Sequence, residues 1–326
     1  MNKLLAILLA AVVVTAQAET INGAGASFPA PVYAKWADAY NRATGTQINY
    51  ASIGSGGGIK QIDAKTVDFG ATDDPRKPEQ VAEKGQFQFP TVMGGVVPVI
   101  NIPGVKSLVL DGPTLADIFE GKITSWNAPQ IAALNKGTSL PNMPITIVVR
   151  ADASGTSAVY TDYLSQVSTS FKTNIGATKT PKWGGNATAG KGNAGVAGFV
   201  KQLSGTIGYV EYAYVKQGGL IAVSMKNKSG KIVTPSAESF AQAAAGADWS
   251  VPGMAVNLNN QSKGWPITAA TFILVYKEGN ANTQQVLKFF DWAYANGDKL
   301  AADLEYVALP AEVKTRIRAG WAKNVK

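Results

Sequence analysis

Apolar positions along the chain fall into two kinds of pattern that alternate. Tyr33, Trp36, Ala37 and Tyr40 recur at i, i+3, i+4 and i+7, which is one face of a helix. Pro29 and Pro31 stand at its start, where a missing N–H does no harm, and Gly45 fits the position just past its end. Gln47–Ser52 follows, with Ile48 and Tyr50 alternating as in a half-buried strand. Gly54-Ser55-Gly56-Gly57-Gly58 reads as a glycine-rich turn leading into a short helical pattern at 59–64. Residues 67–71 read as another strand, ending at Asp73-Asp74-Pro75. Two continuous apolar runs, 96–101 and 145–150, have the character of buried parallel strands. Helical patterns return at 192–203, 236–245 and 283–295, and near the C-terminus Leu309, Val313, Ile317 and Trp321 recur every four residues. The alternation predicts an α/β architecture with mostly parallel sheets, and the polar stretch 173–193 is expected to be a long surface loop.

The first eighteen residues follow a different logic. Lys3 supplies a short positive region, 4–14 is unbroken and apolar, and Ala16-Gln17-Ala18 has the form of a cleavage site. The stretch is shorter than the roughly 20 residues that span a bilayer. It is therefore expected to be an export signal (1–18) that is removed, leaving a soluble periplasmic protein. No Cys stands at the cleavage point to take a lipid.

Composition narrows the chemistry sharply. At about 150 residues per domain, 326 residues suggest two domains. With 46% hydrophobic and 16% charged residues, a large core is expected and disorder is not. There is no Cys and no His. That removes disulfides, thiolate nucleophiles, nearly every zinc site and the Ser-His-Asp triad. Basic residues number 30 against 22 acidic ones, but they are spread along the chain without a cluster that would fit a nucleic acid.

Three places put hydroxyls and bare amides at strand-to-helix turns. They are Gly23-Ala24-Gly25-Ala26-Ser27-Phe28-Pro29, the glycine-rich turn around Ser55, and Arg150-Ala151-Asp152-Ala153-Ser154-Gly155-Thr156-Ser157. Helix N-termini offer unsatisfied N–H groups and partial positive charge. One such turn is ordinary capping. Three, one of them led by a strand-end Arg, point to an anion site. Residues 185–192 come close to a nucleotide-binding loop, but Gly192 stands where Ser or Thr is needed after the Lys. Ser55 and Ser154 lack a G-x-S-x-G frame, since Ile53 and Asp152 lie two places upstream.

These segments, with Ile53-Gly54-Ser55 through Ile59-Lys60-Gln61-Ile62, Val67-Asp68-Phe69-Gly70-Ala71, Gln88-Phe89-Pro90-Thr91-Val92, Ile207-Gly208-Tyr209-Val210-Glu211-Tyr212 and Leu287-Lys288-Phe289-Phe290-Asp291-Trp292, resemble the phosphate-specific substrate-binding proteins of Pst-type ABC importers. The likeness runs in order through the whole chain after the export signal. It implies a two-lobed, hinged α/β clamp in which each lobe is a mostly parallel sheet flanked by helices. The chain would cross between lobes near Val92 and Trp265, so that lobe 1 is 19–92 with 265–326 and lobe 2 is 93–264. The resemblance also implies oxyanion ligands at Ser27, Phe28 (main-chain N–H), Ser55, Asp73, Arg150, Ser154, Gly155 (main-chain N–H) and Thr156, with Asp152 pairing Arg150. The expected partners are inorganic phosphate and the permease and ATPase subunits of a membrane importer. No enzyme activity, cofactor, metal or nucleic acid is expected, and the protein should be a monomer.

Four positions depart from the family pattern. Ser27 replaces a Thr, Gly56 stands where a second Ser is common, and Ala153 replaces the glycine of an Asp-Gly-Ser-Gly turn, so position 153 is expected to have negative φ. Asp74 adds a carboxylate beside Asp73 and is expected to make an anion costlier to hold.

The implied site carries one positive charge, Arg150, against two negative ones, Asp73 and Asp152. Affinity would then rest on many aimed donors, each charge-assisted bond contributing about 1.5–3 kcal/mol toward the roughly 8 that micromolar binding needs. Asp73 would face the ligand as an acceptor. Phosphate at neutral pH still carries a proton to give it, and sulfate does not. The rival readings are the same clamp holding another protonated oxyanion such as arsenate, a secreted phosphoesterase with Ser55 or Ser154 as nucleophile, and a basic adhesin for anionic polymers.

Overall fold

The computed structural model describes residues 20–279 and 281–326, and the expected export signal lies outside them. The strands are β1 (Thr20–Gly25), β2 (Gln47–Ser52), β3 (Phe69–Thr72), β4 (Gln86–Asn101), β5 (Val109–Leu110), β6 (Thr146–Arg150), β7 (Ala187–Gly190), β8 (Thr206–Glu211), β9 (Ile221–Ala222), β10 (Ser224–Lys226), β11 (Ile232–Val233) and β12 (Thr268–Tyr276). Helices flank them as α1 (Ala30–Thr44), α2 (Ser55–Asp63), α3 (Pro78–Glu83), α4 (Gly112–Phe119), α5 (Pro129–Leu134), α6 (Gly155–Val167), α7 (Thr169–Asn174), α8 (Gly192–Gln202), α9 (Tyr212–Gly218), α10 (Ala237–Ala244), α11 (Ala281–Asn296), α12 (Asp298–Ala302) and α13 (Ala311–Asn324).

One sheet runs in the order β2-β1-β3-β12-β4-β8-β6-β7, with β9 also on β4, and a small sheet has the order β11-β10-β5. The outer strands are parallel, β2 to β1 to β3 on one side and β7 to β6 to β8 on the other. The centre is antiparallel. Sixteen-residue β4 pairs with β12 along 86–95 and with β8 along 96–101. The apolar run 96–101 is thus a buried strand as expected, but an antiparallel one, because it is the second half of a strand shared by both halves of the molecule. At the changeover, Trp265 Nε1 donates to Val96 O at 2.9 Å and Val96 N to Ile267 O at 2.8 Å.

Each half is packed on its own aromatic cluster. In one, Phe290 meets Tyr33, Phe69 and Phe89 edge-on at 5.4–5.8 Å. In the other, Tyr160 and Tyr209 stack at 4.2 Å against the edge of Phe119. Pairs of this geometry add about 0.5–1.5 kcal/mol beyond the apolar area they bury.

Local structure follows the sequence patterns with two differences. Helix α1 buries Val32, Tyr33, Trp36 and Tyr40 and ends at Gly45, whose φ of 78° lets its N–H close on Asn41 O. Helix α2, however, begins at Ser55, so the glycine run forms its first turn. A Cβ at Gly58 would stand 2.4 Å from Gly25 Cα, and its absence lets the helix lie against β1. The expected loop 173–193 contains β7, a short edge strand parallel to β6 whose Ala and Thr residues carry little apolar signal. Among the described residues no helix is long and apolar enough to cross a membrane.

Candidate functional site

Four chain turns converge where β4 passes between the two halves. The Ser27–Phe28 turn follows β1, α2 begins at Ser55, α6 begins at Gly155 after β6, and α8 begins at Gly192 after β7. All eight of the expected ligand positions are buried there, Ser55, Ser154 and Thr156 at 0% exposure.

Ser27 and Thr156 are joined through one side chain. Asn193 Nδ2 donates to Ser27 Oγ at 2.8 Å and to Thr156 Oγ1 at 3.1 Å. The N-terminus of α6 presses on the opposite wall, since a Cβ at Gly155 would lie 2.2 Å from Ser55 Oγ and 2.7 Å from Asp73 Oδ2. Only glycine fits there. Ser55 Oγ in turn accepts from Asp73 N at 3.2 Å. Ser154 caps α6 by accepting from Ser157 N at 3.0 Å, which leaves its hydroxyl proton to give elsewhere. Phe28 O accepts from Tyr306 Oη at 2.6 Å and Ser27 O from Tyr214 Oη at 2.7 Å, so the turn before α1 is held by both tyrosines. Among the described residues neither Ser55 nor Ser154 is hydrogen-bonded by a lysine amine, and no group of three or more acidic side chains could hold a metal ion.

Arg150 and Asp152 form a two-point pair, Nε to Oδ1 at 2.9 Å and Nη2 to Oδ2 at 2.5 Å. Burial works to raise Asp152, but the guanidinium and the Gly192 N–H (3.0 Å to Oδ1) overcome it and hold the carboxyl below its usual range. A fork fixed in this way leaves one amine to point elsewhere. That amine, Nη1, is buried and without a protein partner.

Asp73 is its counterpart. Oδ1 accepts from Thr271 Oγ1 at 2.8 Å, while Oδ2 is buried and likewise without a partner. Burial pushes the Asp73 carboxyl up to about 7, against the pull of the Thr271 hydrogen bond and the Arg150 charge. Past Asp73 the cleft widens into a cavity of about 270 Å³ lined by Asp74, Asp162, Asn257 and Thr268 among others.

Asp74 stands beside Asp73 as expected, and its charge helps to raise the Asp73 carboxyl, but it is also paired. Its carboxylate is paired with the Lys179 amine, and the Lys179 carbonyl accepts from Ser154 N at 3.0 Å. Ala153 is not among the residues with positive φ, as its occupancy by Ala requires.

A family model described as a PBP superfamily domain matches residues 11–296. A phosphate-binding protein PstS from Pasteurella multocida (strain Pm70) is 52% identical, covering 99% of this chain and 96% of its own length. The chain belongs to the PstS family. A second PstS, from Haemophilus influenzae (strain ATCC 51907 / DSM 11121 / KW20 / Rd), is 50% identical over 95% of each chain. The two-lobed α/β fold is shared with a solved high-affinity periplasmic phosphate-binding protein (PfluDING), at a TM-score of 0.72 and 22% identity over 92% of this chain and 93% of that one. PstS relatives are thus named as binding proteins rather than enzymes.

Within this PstS chain, Asn193 and Thr271 are the site's neighbours that the sequence motifs do not single out. Thr271 sits inside β12 with nothing local to mark it. Asn193 is the second residue of the helix predicted at 192–203, where a polar side chain reads as ordinary capping.

Proposed function

We propose that this protein binds inorganic phosphate in the periplasm and delivers it to the permease and ATPase subunits of a membrane ABC importer. The observation that carries the reading is the pair of buried, unpartnered atoms in one ring of hydroxyls and amides: a donor, Arg150 Nη1, and an acceptor, Asp73 Oδ2. An oxyanion that still bears a proton satisfies both, whereas a fully ionised one satisfies only the donor. The ligands are Ser27, Phe28 N–H, Ser55, Asp73, Arg150, Ser154, Gly155 N–H and Thr156, with Asp152 orienting the arginine. The names of the PstS relatives support phosphate over the phosphoesterase and adhesin readings.

Lobe 1 comprises 19–92 with 265–326 and lobe 2 comprises 93–264. Supporting this, β4 changes partner from β12 to β8 at 95/96, and Trp265 is bonded to that point. Export rests on the leader pattern at 1–18, and the protein works as a monomer. Calorimetry at pH 8 on the protein lacking 1–18 tests the function, with tight binding of phosphate and far weaker binding of sulfate expected. Equal affinity for the two anions, or no phosphate binding, overturns it. Arsenate, which also carries a proton at neutral pH, should bind in the same site.

A further inference from the structure

We infer that Asn193 is a positioning residue that fills the acceptor capacity of the Ser27 hydroxyl and holds the Thr156 hydroxyl in place beside it, so that Ser27 must act as a hydrogen-bond donor toward the bound anion. The inference rests on the phosphate reading above and concerns how selectivity for an anion is written into an uncharged part of the cage.

Which way the Asn193 amide points is decided by its other neighbour. Glu211 N donates to Asn193 Oδ1 at 2.8 Å. A main-chain N–H can only donate, so the amide oxygen must face β8 and the NH₂ must face the site. From there Nδ2 donates to both hydroxyls, and Asn193 N donates to Ser27 Oγ as well, at 3.0 Å. Ser27 Oγ then receives two donors, which occupy both of its lone pairs. Its one remaining capacity is its own proton, and that must go to an acceptor. Thr156 Oγ1 receives only one donor, so Asn193 fixes its position while its proton is shared between the neighbouring Asp73 carboxyl and the anion.

The consequence is a difference in kind between the Ser27 hydroxyl and a freely rotating one. A free hydroxyl turned by 120° offers an anion its lone pair, which repels. With Asn193 in place, that orientation at Ser27 would turn its proton onto an Asn193 N–H inside a buried site, since Asn193 is 0% and Ser27 2% exposed. Asn193 belongs to the α8 turn, whereas Ser27 precedes α1, so the device also ties together two chain segments 166 residues apart.

A double-mutant cycle on phosphate affinity tests this. Asn193→Ala should weaken binding about tenfold in the parent, the scale of one charge-assisted bond. In a Ser27→Ala/Thr156→Val background the same change should cost less than about twofold, because the groups it acts through are gone. Equal losses in the two backgrounds, or no loss in the parent, overturn the proposal. A purely structural role would lower the melting temperature in both backgrounds without this non-additivity. A second arm needs no substitution at 193 and no ligand. The Asn193 side-chain amide protons, followed by ¹⁵N NMR in phosphate-free protein, should exchange slowly and should shift on Ser27→Ala and on Thr156→Val. Resonances indifferent to both changes overturn the proposal. If the parent fails to bind phosphate, the functional reading falls instead, and the NMR arm decides this inference alone.

Discussion

A Cβ placed on Gly56 would stand 2.5 Å from the Cβ of Ala153, while Gly56 N donates to Ala153 O at 2.9 Å. The two departures from the family pattern at these positions are therefore one exchange. A methyl at 153 fills the space that a serine side chain at 56 would need. Gly56→Ser alone should push the start of α2 off the β6–α6 turn and weaken phosphate binding about tenfold or more. Gly56→Ser with Ala153→Gly should recover most of the loss. Titration calorimetry on the two variants checks the compensation.

Asp73 makes selectivity depend on pH in a definite direction. Below about pH 7 its carboxyl is protonated and becomes a donor that a fully ionised anion can use. Sulfate affinity should therefore rise as pH falls from 8 to 5, and the phosphate-to-sulfate ratio should shrink. Asp73→Asn supplies a donor at every pH, so its ratio should be low throughout. A ratio in Asp73→Asn equal to the parent's at pH 8 would remove the role assigned to this residue.

The same residue affects stability without ligand. Its folded pKa of about 7 lies above its unfolded value near 4, so between those limits the unfolded chain releases the proton and the folded one keeps it. Stability is present in full below pH 4 and is lost as pH rises to about 7, by an amount on the order of a few kcal/mol. Asp73→Asn should flatten that part of the curve, and its melting temperature should exceed the parent's at pH 8 in phosphate-free buffer.

Arg150 has two of its amine groups committed to Asp152 and a third unpartnered. Lysine is a single point charge and cannot serve the carboxylate and the anion with a fixed fork. Arg150→Lys should weaken phosphate binding by about 1.5–3 kcal/mol, read as a change in the calorimetric Kd. An unchanged Kd would exclude Arg150 as a ligand.

Lys179 and Asp74 meet across the cleft, each about a third exposed. A pair this wet is worth roughly 0–1 kcal/mol and is screened by salt. Lys179→Ala should speed phosphate release a few-fold at low ionic strength, with the difference fading at high salt, as stopped-flow measurements would show.

Much of the fold was legible because punctuation and periodicity agreed. Helix α1 has prolines at its start, an apolar stripe with three aromatic residues and a glycine at its end, and each says the same thing. The first half of β4 escaped because Gln86, Gln88 and Thr91 interrupt its apolar run. All three are buried, and their polar groups are satisfied by distant partners: Gln86 by Asp63 and Arg76, Gln88 by Arg76, and Thr91 by Tyr33. No local pattern encodes a contact of that range. The site divides in the same way. Ser27, Ser55 and the 150–157 turn stand at helix starts, where hydroxyls and amides are conspicuous in sequence. Thr271 acts on Asp73, and Asn193 on Ser27 and Thr156, from elements far away in the chain, and only the assembled fold brings them near. Lys179, in a stretch expected to be a loop, changes the meaning of Asp74 for the same reason.

Strand β4 belongs to both halves, and its neighbours bond it on either side of the changeover. Were one half to turn against the other, as the proposed clamp requires, the motion would be absorbed as elastic twist within a hydrogen-bonded ribbon. Such a joint behaves as a flexure rather than a pin. It would carry a restoring torque and bring the same hydroxyls back into alignment each time the two halves part and meet.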